Sequence, residues 1–171
     1  MKDKFYIFLD IDGVLYDWEY ILKKSIKKSG TIKDFNPQSV NALNFLIEKL
    51  SNIYNVEIVI TSAWRINMKK TIEILLNNGL NKTIKINCTE ISNNTQNRGL
   101  EILNYLKNNS CKNFVIIDDE MFDFNGYFNK NNIIKTNIFN LSLNKEMVIK
   151  YLQSLDNIDN HFFSLVDEMI K

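Results

Sequence analysis

FYIFLDIDG, residues 5–13, opens with five consecutive apolar or aromatic side chains and closes on two carboxylates and a glycine. The first five residues leave no polar face, which is the pattern of a strand covered on both sides. Asp10 and Asp12 follow, one residue apart. In an extended chain alternate residues project the same way, so the two carboxylates lie close together. Gly13 lets the chain turn sharply behind them. Like charges at the end of an apolar strand are costly unless something compensates them. One reading is a plain aspartate turn. The other is a site for a hard divalent cation such as magnesium, which suits carboxylate and carbonyl oxygens.

Working outward, apolar runs at 56–60, 83–88, 114–117 and 132–136 read as further strands. Helical periodicity covers 18–29, 64–78, 95–108 and 142–155, and residues 159–170 read as a last helix. In the first of these, Trp18, Ile21, Leu22 and Ile26 form the inward stripe, and Lys23, Lys24, Lys27 and Lys28 share the other side before Gly30 ends it. Asn36-Pro37 reads as an N-cap with proline at the first helical position, opening a helix to about residue 50. Gly79 closes the helix before it, and Ser142 caps the helix to 155. Strands alternating with helices predict βαβ units around a mostly parallel sheet, hence a three-layer α/β/α sandwich. We expect one domain over 1–171, with 156–171 a C-terminal helix.

The composition of the 171 residues is that of an ordinary globular chain, with a formal net charge of +1. No global charge draws it to DNA or to a membrane, so any polyanion must be met by a local patch. No apolar run is long enough to span a bilayer. The short apolar start, interrupted by Asp10, reads as a strand and not as a signal peptide, and a cytoplasmic location is expected. Cys88 and Cys111 are expected to be free thiols. Lysine is abundant, yet the only arginines are Arg65 and Arg98. The planar guanidinium grips phosphate in two places, which lysine does not.

In a parallel sheet, sites form beyond the carboxyl ends of the strands. Three strands deliver polar groups there: Asp10 from the first, Thr61 and Ser62 from the second, and Asp118-Asp119 from the fourth, with Asp123 four residues on. The aspartates supply enough oxygen ligands for one magnesium ion, or the Asp118-Asp119 pair is a helix N-cap or an acidic loop. A hydroxyl and backbone amides at 61–62 suit phosphate oxygens. Arg98 opens a helix, where the dipole disfavours a cation, so an anion in the site is expected to select it.

FLDIDGVL (8–15), IVITSAWR (58–65), TQNRGLEIL (95–103) and FVIIDDEMFD (114–123) occur in the order of the four haloacid dehalogenase motifs. Taken with Asn140-Leu141-Ser142, they resemble more narrowly the haloacid dehalogenase-type domain of multi-part "Swiss army knife" RNA repair proteins, over residues 5–153. The resemblance implies a phosphohydrolase. Asp10 would be the nucleophile and would form an aspartyl-phosphate. Asp12 would be the acid/base. Thr61 would bind the transferring phosphoryl group, and Arg98 would neutralise phosphate and nucleophile. Asp10, the backbone carbonyl of Asp12 and Asp119 would hold Mg2+, with Asp118 and Asp123 direct or water-mediated helpers. Ser62, Gly13 and Arg65 are the candidate substrate contacts, although Arg65 has a second reading as the partner of a scaffold carboxylate.

Other residues carry less. His161 reads as a surface or packing residue, and Trp64 either anchors its helix or stacks on a base. The lysines at 23–28 are a solvated face or a polyanion guide. Only a loop and one helix fit between the first motif and Pro37, and only a helix between the third and fourth motifs, so no large cap domain is expected. An open site suits large substrates, such as a phosphorylated nucleic acid end or a nucleotide. The rivals are a non-catalytic phosphate-binding scaffold and a small-metabolite phosphatase.

Overall fold

A computed structural model of the chain describes residues 2–26, 35–91, 97–121, 124 and 126–156, and the side chains of these except 24–26 and 156. The elements are β1 (Lys4–Leu9), α1 (Trp18–Ile26), α2 (Pro37–Ser51), β2 (Asn55–Ile60), α3 (Met68–Asn77), β3 (Lys85–Cys88), α4 (Arg98–Asn108), β4 (Phe114–Asp118), β5 (Ile133–Lys135) and α5 (Lys145–Asp156). The five strands form one sheet in the order β3-β2-β1-β4-β5, and every pairing is parallel. The chain builds outward from β1 through β2 to β3, then crosses back to β4 on the other side. The strand order therefore reverses between β1 and β4, and parallel sheets place their ligand crevice at that reversal.

Alternation along the strands divides the core in two. Ile7, Leu9, Ile58, Ile60, Val115 and Ile117 pack with side chains of α2, α3 and α5. Tyr6, Phe8, Val59 and Ile116 face the other way, against Ile102 and Leu106 of α4. Helices thus cover both faces of the sheet. Between β1 and β2 the described residues form only α1 and α2, and between β3 and β4 only α4. No described helix is long and apolar enough to cross a membrane.

Local signals explain most boundaries. Asn36 caps α2 by accepting from Gln38 N at 3.0 Å, with Pro37 at the first helical position. Four expectations are corrected. Trp18 and Leu22 are 50% and 60% exposed, so these two members of the inward stripe assigned to α1 are not buried. The start of α1 is instead tied through its backbone, by Trp18 N to Ile138 O at 2.8 Å and Glu19 N to Phe139 O at 3.1 Å. The helix expected over 64–78 is broken into a 3-10 turn, Ala63–Asn67, and α3, because the Asn67 side chain accepts from Lys70 N and starts a new helix. The helix expected from residue 95 starts at Arg98, where Asn97 caps it by accepting from Leu100 N. Ser142 does not cap α5. Its amide donates to buried Asp17 and its hydroxyl accepts from Ser39, so it pins α1 and α2 together, and Asn144 caps the helix by accepting from Met147 N at 3.0 Å. Gly30, Asp123, His161, Lys27, Lys28 and the helix expected over 159–170 lie outside the described residues.

Asn144→Ala should lower the unfolding free energy by about 1 kcal/mol, as loss of an N-cap does, in a urea titration followed by circular dichroism. An unchanged midpoint would mean that the Met147 amide needs no side-chain acceptor.

Candidate active site

The site begins where the strands end. Asp10 N still pairs with Ile117 O at 3.0 Å, Thr61 N with Leu9 O at 3.0 Å, and Thr136 N with Asp118 O at 3.0 Å. Asp10, Thr61 and Asp118 lie two residues beyond Phe8, Val59 and Ile116, which face α4. Continued alternation carries the three polar side chains toward the same side, where Arg98 opens α4.

Arg98 meets them there. Its Nη1 lies 2.5 Å from Asp118 Oδ2 and 3.5 Å from Asp10 Oδ1. The anion that selects an arginine at this helix start is therefore the protein's own pair of carboxylates. Asp118 Oδ1 also accepts from Glu120 N at 2.9 Å. Asp119 completes the group: one carboxylate oxygen from each of Asp10, Asp118 and Asp119 lies within 4.8 Å of the others.

Burial sets the electrostatics. Asp10 is 4% exposed, and its pKa is pushed up to about 8 by burial and by the charge on Asp118, with Arg98 offsetting part of the rise. Ser62 lies near enough to lower it slightly, without the geometry of a hydrogen bond. Asp118 is fully buried and raised to about 6, again by burial, against the Arg98 charge and the Glu120 amide. Burial raises Asp119 as well. Burial opposes the charge on Arg98, but Asp118 and Asp10 outweigh it and hold the guanidinium above its ordinary pKa. Three carboxylates around one guanidinium are an under-neutralised group. Their hard oxygen donors and close spacing fit a divalent cation.

Gly13 is fixed by more than the turn. It has φ +72°, and a Cβ there would stand 2.7 Å from Asp119 Cγ. Only a residue without a side chain lets the β1 loop pass this close to the β4 carboxylate.

Asp12 stands apart from the buried group and is half-buried. Its Oδ1 accepts from the Tyr16 hydroxyl, and Trp64 Nε1 donates to both carboxylate oxygens at 3.2 Å. Burial, then the bond to Asp12, holds the Tyr16 phenol above its ordinary pKa, so it remains a donor. Phe35, 2% exposed, backs both rings. It stacks on Tyr16 at 6.1 Å and meets Trp64 at 5.8 Å.

Thr61 and Ser62 are each 1% exposed, and neither hydroxyl has a hydrogen-bond partner among the described residues. Orphaned buried hydroxyls cost free energy, and a bound oxyanion would satisfy them. Arg65 makes scaffold contacts. Its Nη2 pairs with buried Glu101 at 2.8 Å, and its Nη1 donates to the Thr61 carbonyl. Sequence reasoning had no signal for the Tyr16–Asp12 bond, for Glu101 as the partner of Arg65, or for Phe35.

Residues 6–148 match the family described as the HAD domain in Swiss Army Knife RNA repair proteins. No curated protein and no solved structure matches at a significant level. A buried carboxylate group at the reversal of a parallel sheet, completed by an arginine at the start of α4, is thus found in a chain that belongs to the haloacid dehalogenase domain family of Swiss Army Knife RNA repair proteins.

Proposed function

We propose that the protein is a magnesium-dependent phosphohydrolase that cleaves phosphate monoesters through an aspartyl-phosphate at Asp10. The observation that carries this reading is the buried Asp10 carboxylate, with Arg98 3.5 Å away and Asp118 and Asp119 beside it. A buried ion pair is weak evidence for a stabilising role, so the scaffold alone does not explain a carboxylate in this setting. The carboxylate does suit a nucleophile that must approach a phosphate dianion.

In the first half-reaction an Asp10 oxygen bonds to phosphorus and the bond from phosphorus to the leaving oxygen breaks. The electron pair stays on that oxygen, which takes a proton from Asp12. In the second, a water oxygen bonds to phosphorus, a water proton passes to Asp12, and the Asp10–phosphorus bond breaks to release phosphate. Both are proton transfers by a positioned carboxyl. Arg98 neutralises charge on the nucleophile and the phosphoryl group. The buried hydroxyls of Thr61 and Ser62, with the backbone around Gly13, receive phosphoryl oxygens, and Arg65 donates to the Thr61 carbonyl. Asp10, Asp119, the Asp12 carbonyl and, directly or through water, Asp118 would hold Mg2+, which supplies charge neutralisation and orientation when bound. Asp123 belongs to the same set by its motif position.

The substrate class we favour is the phosphorylated end of a nucleic acid, or a nucleotide, in the cytoplasm. The RNA repair context of the family supports it. So does the sequence, which offers only a loop and helices between β1 and β2 and one helix between β3 and β4, too little for the large cap domain that would close the site to a large substrate. Exposed Lys23, with Lys24, Lys27 and Lys28 further along, would guide a polyanion.

Two outcomes are expected. Arg98→Lys should keep part of the turnover of an end-phosphorylated oligonucleotide and Arg98→Ala almost none, because charge is required and the fork assists. Full activity in Arg98→Ala would remove this residue from the site. Magnesium affinity should rise with pH. The folded chain holds protons on Asp10 and Asp118 that the unfolded chain releases at ordinary carboxylate pKa values, so the metal-free protein loses stability as pH climbs towards 8. A cation that binds the ionised forms reverses that loss. The rise in thermal midpoint on adding magnesium should be larger near pH 8 than near pH 6, and equal rises would contradict the assignment.

A further inference from the structure

We infer that Trp64 and Tyr16 are positioning residues that hold the Asp12 carboxylate so that its Oδ2 faces the reacting oxygen. The inference rests on the proposed acid/base role of Asp12 and extends it to two residues outside the motif positions that carry that role.

The geometry is asymmetric. Asp12 Oδ1 takes two donors, the Tyr16 hydroxyl and the Trp64 indole N–H, whereas Oδ2 takes only the shared indole contact at 3.2 Å. A carboxyl oxygen that already accepts two bonds has little capacity left. Oδ2 is therefore the oxygen with room for the proton that goes to the leaving oxygen, and for the water proton that returns. The donors come from different parts of the chain. Tyr16 lies in the loop after β1, and Trp64 in the 3-10 turn after β2. Each is fixed in turn. Phe35 is packed against both rings, the Phe35 amide donates to Asn78 Oδ1 at 2.8 Å, and the Thr71 hydroxyl donates to the Trp64 carbonyl at 2.7 Å. A half-buried aspartate at a loop tip would otherwise sample several rotamers, and misplacing a catalytic group by about 1 Å costs on the order of 10²-fold. The indole N–H is committed to Asp12 and the ring to Phe35, so both features of Trp64 are accounted for without a stacked base.

Leaving-group dependence separates positioning from mere structure. The constant kcat/KM covers the steps up to release of the leaving group, so of the two proton transfers assigned to Asp12 it contains only the acid one. An alkoxide must be protonated as it leaves, and a nitrophenolate hardly needs to be. Tyr16→Phe keeps the ring and removes only the donor, and Trp64→Phe keeps an aromatic ring but loses the donor together with part of the ring volume. Each variant is compared with wild type on an end-phosphorylated oligonucleotide and on nitrophenyl phosphate, with Asp12→Asn as reference. The loss in kcat/KM should be about 10-fold or more greater for the oligonucleotide than for the aryl ester, following the pattern of Asp12→Asn. Equal losses on both substrates, or none, while Asp12→Asn remains selective, would overturn the positioning role and leave the proposed function standing. A wild-type protein without turnover of either ester, or an Asp12→Asn variant as active as wild type, would overturn both. Should Trp64→Phe fail to fold by circular dichroism, Tyr16→Phe decides the matter alone.

Discussion

Three carboxylates are gathered at the carboxyl ends of two neighbouring apolar strands, and one guanidinium faces them. Asp10 and Asp118 are nearly or fully buried, which is costly for charged groups and is reflected in their raised pKa values. Such an arrangement persists only where the scaffold over-determines it. Here β1 and β4 are hydrogen-bonded up to Asp10, α4 opens with Arg98 directly over the pair, and Gly13 passes so close to Asp119 that no side chain fits. The strand order reverses at the same place, so the crevice that every parallel sheet leaves at its switch point coincides with the excess negative charge.

From that constraint the rest of the site follows. An under-neutralised carboxylate group invites a hard cation, and the buried hydroxyls of Thr61 and Ser62, without a hydrogen-bond partner among the described residues, invite an oxyanion. Asp12 is treated differently. It is kept out of the buried group and gripped by neutral donors from two loops, so two carboxylates one residue apart meet unlike surroundings. Unlike surroundings allow like residues to take unlike roles, which is what the proposed division into nucleophile and proton carrier requires.

Much of this was legible in the sequence. The buried strands announce themselves as unbroken apolar runs, and Asn36-Pro37 marks the start of α2. Asp10, Thr61, Asp118 and Arg98 stand at strand ends or a helix start, positions that a βαβ pattern converts directly into shared space. The misreadings have physical causes. Periodicity identifies the apolar residues of α1 but not which side meets protein, and its backbone ties to residues 138–139 leave Trp18 and Leu22 in solvent. At Asn67 and Asn144 a short amide side chain placed against a free backbone N–H outweighed periodicity and a nearby serine. The grip on Asp12 by Trp64 and the pairing of Arg65 with Glu101 span 52 and 36 residues, and local pattern carries no trace of such contacts.

The central claim is that Asp10 attacks phosphorus, and acid-quenched turnover tests it most directly. Protein mixed with magnesium and an end-phosphorylated oligonucleotide, quenched in acid and digested, should yield a phosphoryl adduct on the peptide that carries Asp10, labile to hydroxylamine as an acyl phosphate is. Asp10→Asn should give neither adduct nor turnover while retaining the native circular dichroism spectrum. An adduct on another residue, or turnover by Asp10→Asn at a rate near that of wild type, would contradict the account.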